Sequence, residues 1–162
     1  MSFLKTALTT LAGALAFAGA AFAGEINIAK GETYALQGYD TVAYHTVGEA
    51  TEGDTAYTAQ YKGETWLFAS ADNRDLFKAE PAKYAPAYGG HCAFGASVNR
   101  LFDGDPEAWQ IVDGQLYVNK DKGILKRWQK DIPGNLEKSE ANWPGLRAEL
   151  VADASPALGG GS

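Results

Sequence analysis

The sequence predicts an α+β domain: a small antiparallel sheet, made of a hairpin plus one added strand, packed with several short helices. Three observations predict it. The stretch TAYTAQY at 55–61 alternates, turns at Lys62-Gly63, and returns as ETWLFAS at 64–70, the pattern of a β-hairpin. Helix signals follow it, beginning with Ser70 as a cap. A separate run, QLYVN at 115–119, reads as one more strand. The chain has 162 residues, 46% hydrophobic and 12% aromatic, so it can bury one sizeable core and is not disordered.

The first 23 residues read as a secretory leader. Lys5 precedes an apolar stretch rich in Ala and Leu, which ends in Ala21-Phe22-Ala23, a small-x-small cleavage signal. The stretch is too short and Ala-heavy for a membrane anchor. Cleavage after Ala23 implies a periplasmic or secreted protein of bacterial type. The expected organisation is a leader at 1–23, an α+β domain at 24–147 and a disordered tail at 148–162.

Within the domain, 24–33 reads as a short strand and turn. Residues 34–53 carry two Gly-marked turns around Val42, Ala43 and Tyr44. After the hairpin, ADNRDLFKAE forms a helix with Asp72 at its positive end and Leu76 and Phe77 facing inward. Pro81 opens another helical turn that packs Tyr84 inward. The segment 88–102 is rich in small residues, so its backbone must approach something closely. Asp105 then caps a helix with Pro106 in its first position and Trp109 inward, before Asp113-Gly114 turns into QLYVN. An amphipathic helix carries Ile124, Leu125 and Trp128 and stops at Pro133-Gly134. A last helix spans roughly 135–142 and ends at Trp143-Pro144. No internal repeat is legible.

The net charge is −6 with a pI near 4.9, and no Lys/Arg cluster stands out, which excludes a nucleic-acid partner. Cys92 is the one cysteine. An exported chain with one cysteine cannot close an internal disulfide, so the thiol is free, joined to another chain, or a ligand. A linked dimer stays open, and with it the oligomeric state.

The segment YKGETWLFASADNRDLFKAEPAKYAPAYGG at 61–90 resembles the YHS domain family. The flanking GYDTVAY, GGHCAFG, DPEAWQIVDGQLYVN and WQKDIPG resemble longer exported bacterial proteins that contain this domain. The resemblance implies metal binding, with copper favoured. It also implies a cysteine just after the strand Phe and another early in the following helix. Here those places hold Ala69 and the residues Asn73 to Asp75, so the two-thiol site is missing.

A metal must then rest on Cys92 and its neighbours. Thiolate and imidazole suit copper or zinc. The candidate ligands are Cys92, His91, His45 (the other histidine) and Asp40. Adjacent residues chelate poorly on a helix or strand, and only an irregular loop after Gly89-Gly90 would bring His91 and Cys92 together. Tyr39, Tyr88 and Gly90 are the candidate contacts for a small ligand. Each residue has an ordinary structural role to weigh against these. Cys92 can be a buried small hydrophobe, His91 a capping residue, His45 a surface residue and Asp40 an Asx-turn residue.

Three functions follow. The leading one is a non-catalytic exported domain binding a metal ion or small ligand near Cys92. The second is a thiol-dependent enzyme or redox protein using Cys92. The third is a ligand-free interaction module that docks on a membrane complex. No nucleophile-elbow, zinc-protease or P-loop pattern supports an enzyme.

Overall fold

The computed structural model describes residues 24–154; the expected leader and the end of the expected tail, 155–162, lie outside the described residues. The architecture is α+β, built on antiparallel hairpins wrapped by helices.

Residues 24–33 form turns rather than a strand, with Gly24 and Gly31 at positive φ. A short α1 (Ala43–Thr46) follows. Strands β1 (Asp54–Tyr61) and β2 (Glu64–Phe68) pair as the alternation predicted. Lys62 and Gly63 close them with φ of 52° and 86°, both left-handed as a type I′ turn requires. Ser70 caps α2 (Ala71–Ala79), its hydroxyl accepting from the Asn73 N–H at 3.1 Å. Phe77 is buried but Leu76 is exposed, because neighbours on a helix diverge by about 100°. α3 (Pro81–Tyr84) starts at its proline as expected, and α4 (Ala93–Ser97) follows the glycine turn.

The helix expected after Asp105 is instead β3 (Asp105–Val112), paired with β4 (Gln115–Asn119). QLYVN is therefore not an added strand of the first sheet; it has its own partner, and the two hairpins form separate two-stranded sheets. Pro106 is tolerated because the register shifts between Asp105 and Trp109, where no ladder bond is demanded of it. Asp113 and Gly114, with φ of 50° and 80°, supply the second type I′ turn.

Asp121 caps α5 (Lys122–Trp128), accepting from the Ile124 N–H at 2.7 Å, and Trp128 is fully buried. Pro133-Gly134 opens α6 (Ile132–Ala154) rather than stopping α5, with the Asp131 carboxylate accepting from the Gly134 N–H at 3.0 Å. α6 runs through Trp143-Pro144, so residues 148–154 are helical and not tail. None of the described helices is long and apolar enough to cross a membrane.

The structure contains a repeat that the sequence hides. The pairs Asp54↔Phe68, Thr58↔Leu67 and Tyr61↔Glu64 recur as Asp105↔Asn119, Trp109↔Val118 and Val112↔Gln115, each 51 positions on, with the register shift in the same place. Upstream, 3₁₀ turns at Ala35–Gly38 and Ala87–Gly90 each carry two non-helical residues, and the bridge Tyr39↔Glu52 recurs as His91↔Asp103. Gly53 packs on Gly38 and Leu67 as Gly104 packs on Gly90 and Val118. Ser70 and Asp121 cap the helices that follow. Two copies of one unit, about residues 34–79 and 86–128, thus stand in tandem.

The first unit buries Tyr44, Trp66, Phe68 and Phe77 in one cluster; the second buries Tyr88, Tyr117 and Trp128 against Leu146 of α6. The buried Glu25 carboxylate bridges Lys62 of the first hairpin turn and Arg147 of α6.

Candidate functional site

The glycines before Cys92 do what their small size implied. A Cβ on Gly89 would strike the Glu25 carbonyl, and the Asn27 N–H donates to the Gly89 carbonyl at 2.8 Å, so the N-terminal segment lies across this turn. Tyr88 and Gly89 both adopt left-handed φ, 54° and 60°. The chain then straightens at His91 and enters α4 with Cys92 as its N-cap.

Cys92 is 1% exposed. Its sulfur accepts from the Gly95 N–H at 3.3 Å and lies 3.7 Å from the Asn119 side-chain oxygen, to which the S–H donates. That oxygen also accepts from the Phe94 N–H at 3.0 Å. Burial pushes the thiol pKa up, while the N–H groups of Gly95, Lys120 and Phe94 oppose the shift. The thiol is therefore protonated at neutral pH, with Asn119 as its acceptor.

Asp40 is the counterpart of Cys92 in the first unit. It is fully buried, and its two oxygens accept from the N–H groups of Val42 at 2.9 Å, Ala43 at 3.2 Å and Ala69 at 2.9 Å. The Asn73 amide donates a fourth bond at 2.7 Å. Ala69 stands where the family resemblance implied one thiol, and Asn73 opens the stretch Asn73 to Asp75 where it implied the other. In this chain those two places converge on one carboxylate.

The difference between the units is at that fourth bond. Ile124 takes the position of Asn73 and offers no donor. A pocket of about 210 Å³ opens there instead. Cys92 and Gly95 form its floor, Phe94, Val98, Phe102 and Ile124 its walls, and Arg100 and Lys120 its rim. Val98 is 49% and Phe102 38% exposed, so the walls carry apolar surface to solvent.

The predicted ligand set does not assemble. Among the described residues no group of three or more His, Cys, Asp and Glu side chains could hold a metal ion. The Asp40 oxygens are occupied by four donors. His45, on α1, stacks edge-on to Tyr84 at 5.3 Å, and burial followed by Lys83 lowers its pKa. His91 is 93% buried beside Trp143; neither ring nitrogen has a hydrogen-bond partner, and burial lowers its pKa to about 4 against the pull of Asp103. The residues present do not fit copper or zinc.

The expected small-ligand contacts are likewise separated. Tyr88 donates to the Glu140 carboxylate at 2.9 Å and packs on Trp143. Tyr39 packs at the edge of the first cluster. Gly90 is buried at φ 85°, its would-be Cβ facing Pro86. Of the candidate site residues named from the sequence, Cys92 alone lines the apolar pocket. Sequence reasoning missed Phe94, Val98, Arg100, Phe102 and Lys120, and read Ile124 as part of an apolar helix stripe only. The exposed Val98 and Phe102 within a polar stretch were the available signal, and their convergence depends on contacts between α4, β4 and α5.

No curated protein and no solved structure matches this chain. The YHS domain model matches residues 42–88, from α1 through the first hairpin to the glycine turn. The chain therefore carries a YHS domain, seated on its first unit and ending just before Cys92.

Proposed function

We propose that this is an exported, non-catalytic YHS-type binding module that receives a small ligand in the apolar pocket over Cys92. The observation that carries the reading is the contrast between the twin units. Asn73 closes the first over Asp40, whereas the second leaves a cavity over Cys92 at the equivalent place. A non-catalytic role accords with a buried thiol whose pKa is raised and with no imidazole nitrogen bonded to the sulfur. Export rests on the leader at 1–23, and a mature protein beginning at Gly24 by N-terminal sequencing would support it.

The test is an NMR titration with a neutral apolar probe, hexanamide. Saturable shifts at the Gly95, Val98 and Phe102 amides, abolished in Val98→Asp, support the reading. An absence of shifts leaves the ligand-free interaction module. A copper titration run beside it, with Cys92→Ser and His91→Ala, addresses the metal. Stoichiometric uptake lost in both variants would restore copper as the ligand.

A further inference from the structure

The pocket's electrostatics name a ligand class, an inference that rests on the binding reading above. The protein is acidic, with net charge −6, yet two cations stand at this one mouth. No carboxylate lines it. Arg100 and Lys120 are exposed, and among the described residues neither makes an ion pair. Lys120 lies over the Phe102 ring at 5.0 Å, which holds its ammonium at the apolar wall. The acid next to it, Asp121, acts on the Cys92 sulfur through its charge but is engaged as the cap of α5, accepting from the Ile124 N–H at 2.7 Å, and the other nearby acids line other hollows. Asp103, Asp105 and Glu32 line a polar hollow that shares Phe102 and Lys120 with this pocket, and Glu149 shares a third with Arg100.

We propose that this pocket takes a small monocarboxylic acid, its hydrocarbon part against Phe94, Val98 and Ile124 and its carboxylate between Arg100 and Lys120. An apolar wall supplies most of the binding and a cationic rim fixes orientation and sign. The volume of about 210 Å³ lies below the roughly 300 Å³ at which sites for drug-sized ligands begin, so a diacyl lipid does not fit and a short chain or single ring does. The neutral thiol at the floor suits this occupant, since a thiolate there would repel it. In the first unit the equivalent space is bridged by the Asn73 amide, so the ligand occupies a place that the fold elsewhere fills with its own side chain.

The experiment compares hexanoate with hexanamide and hexylammonium on the full mature chain by NMR, with anionic phospholipid vesicles as a fourth arm. Hexanoate is expected to bind about tenfold more tightly than hexanamide, and hexylammonium more weakly than either. Arg100→Gln with Lys120→Gln should remove the preference for hexanoate over hexanamide, the acid losing about tenfold more affinity than the amide; a preference that persists in this variant overturns the acid class. Equal affinity for acid and amide overturns the acid class and leaves the pocket standing. No binding of any of the three small probes overturns both. Binding to vesicles without binding to hexanoate overturns the acid in favour of a lipid surface.

Discussion

His91 and Cys92 are neighbours, both buried, and burial shifts their pKa values in opposite directions. Burial lowers the His91 pKa from 6.5 to about 4, so the folded state binds fewer protons than the unfolded state between those values. Stability is therefore full above pH 6.5 and falls as the pH drops towards 4, by up to about 3 kcal/mol. Denaturant midpoints measured across this window should show the slope, and His91→Gln should flatten it. Cys92, protonated and 1% exposed, should react with iodoacetamide far more slowly in the native state than after unfolding. Rapid native alkylation at neutral pH would instead favour thiol chemistry at this site. Asp40→Asn places an NH₂ group among four donors and should cost about 2 kcal/mol in urea unfolding. A neutral result would mean that the carboxylate does not hold the first unit together. At this scale the sequence located Cys92 and the Asx turn of Asp40. It could not show that four donors would saturate Asp40, because Ala69 and Asn73 lie about thirty positions away.

Element by element, local signals were legible where local chemistry decides. Lys62-Gly63, Asp113-Gly114, Ser70 and Pro81 all act as their residue types imply. The misreadings came where a signal has two meanings. Asp105-Pro106 opens helices in many proteins, but the β-forming Trp-Gln-Ile-Val run and the following turn draw it into a hairpin. Pro133-Gly134 reads equally as a stop and a start, and Asp131 settles it as a start. The glycines give a paired test. A Cβ on Gly53 would come within 2.6 Å of Leu67, and its twin Gly104 is as crowded against Val118. Each changed to Ala should lose about 1–3 kcal/mol, whereas Gly145→Ala, with open space around it in α6, should gain up to about 1 kcal/mol. Thermal unfolding of the three variants checks both signs.

Across the whole molecule, the Glu25 carboxylate ties the first hairpin turn to α6, and α6 closes the second core. Glu25→Gln should weaken that tie and raise amide exchange in 147–154 without exposing the first hairpin; unchanged exchange there would assign the holding of α6 to Leu146 and Trp143. The sequence by itself determined the α+β class, the turns at Lys62-Gly63 and Asp113-Gly114, the first hairpin with its capped helix, and the YHS character of that half, because turns, capping and strand alternation are set by residues within a few positions of one another. Only the tertiary structure decided that the unit is built twice and that Asp40 and Cys92 are counterparts. It also decided that, among the described residues, no three potential metal ligands gather, and that an apolar, cation-rimmed pocket lies over Cys92. Those outcomes depend on residues about thirty to fifty positions apart, whose meeting is governed by packing and leaves no local periodicity to read.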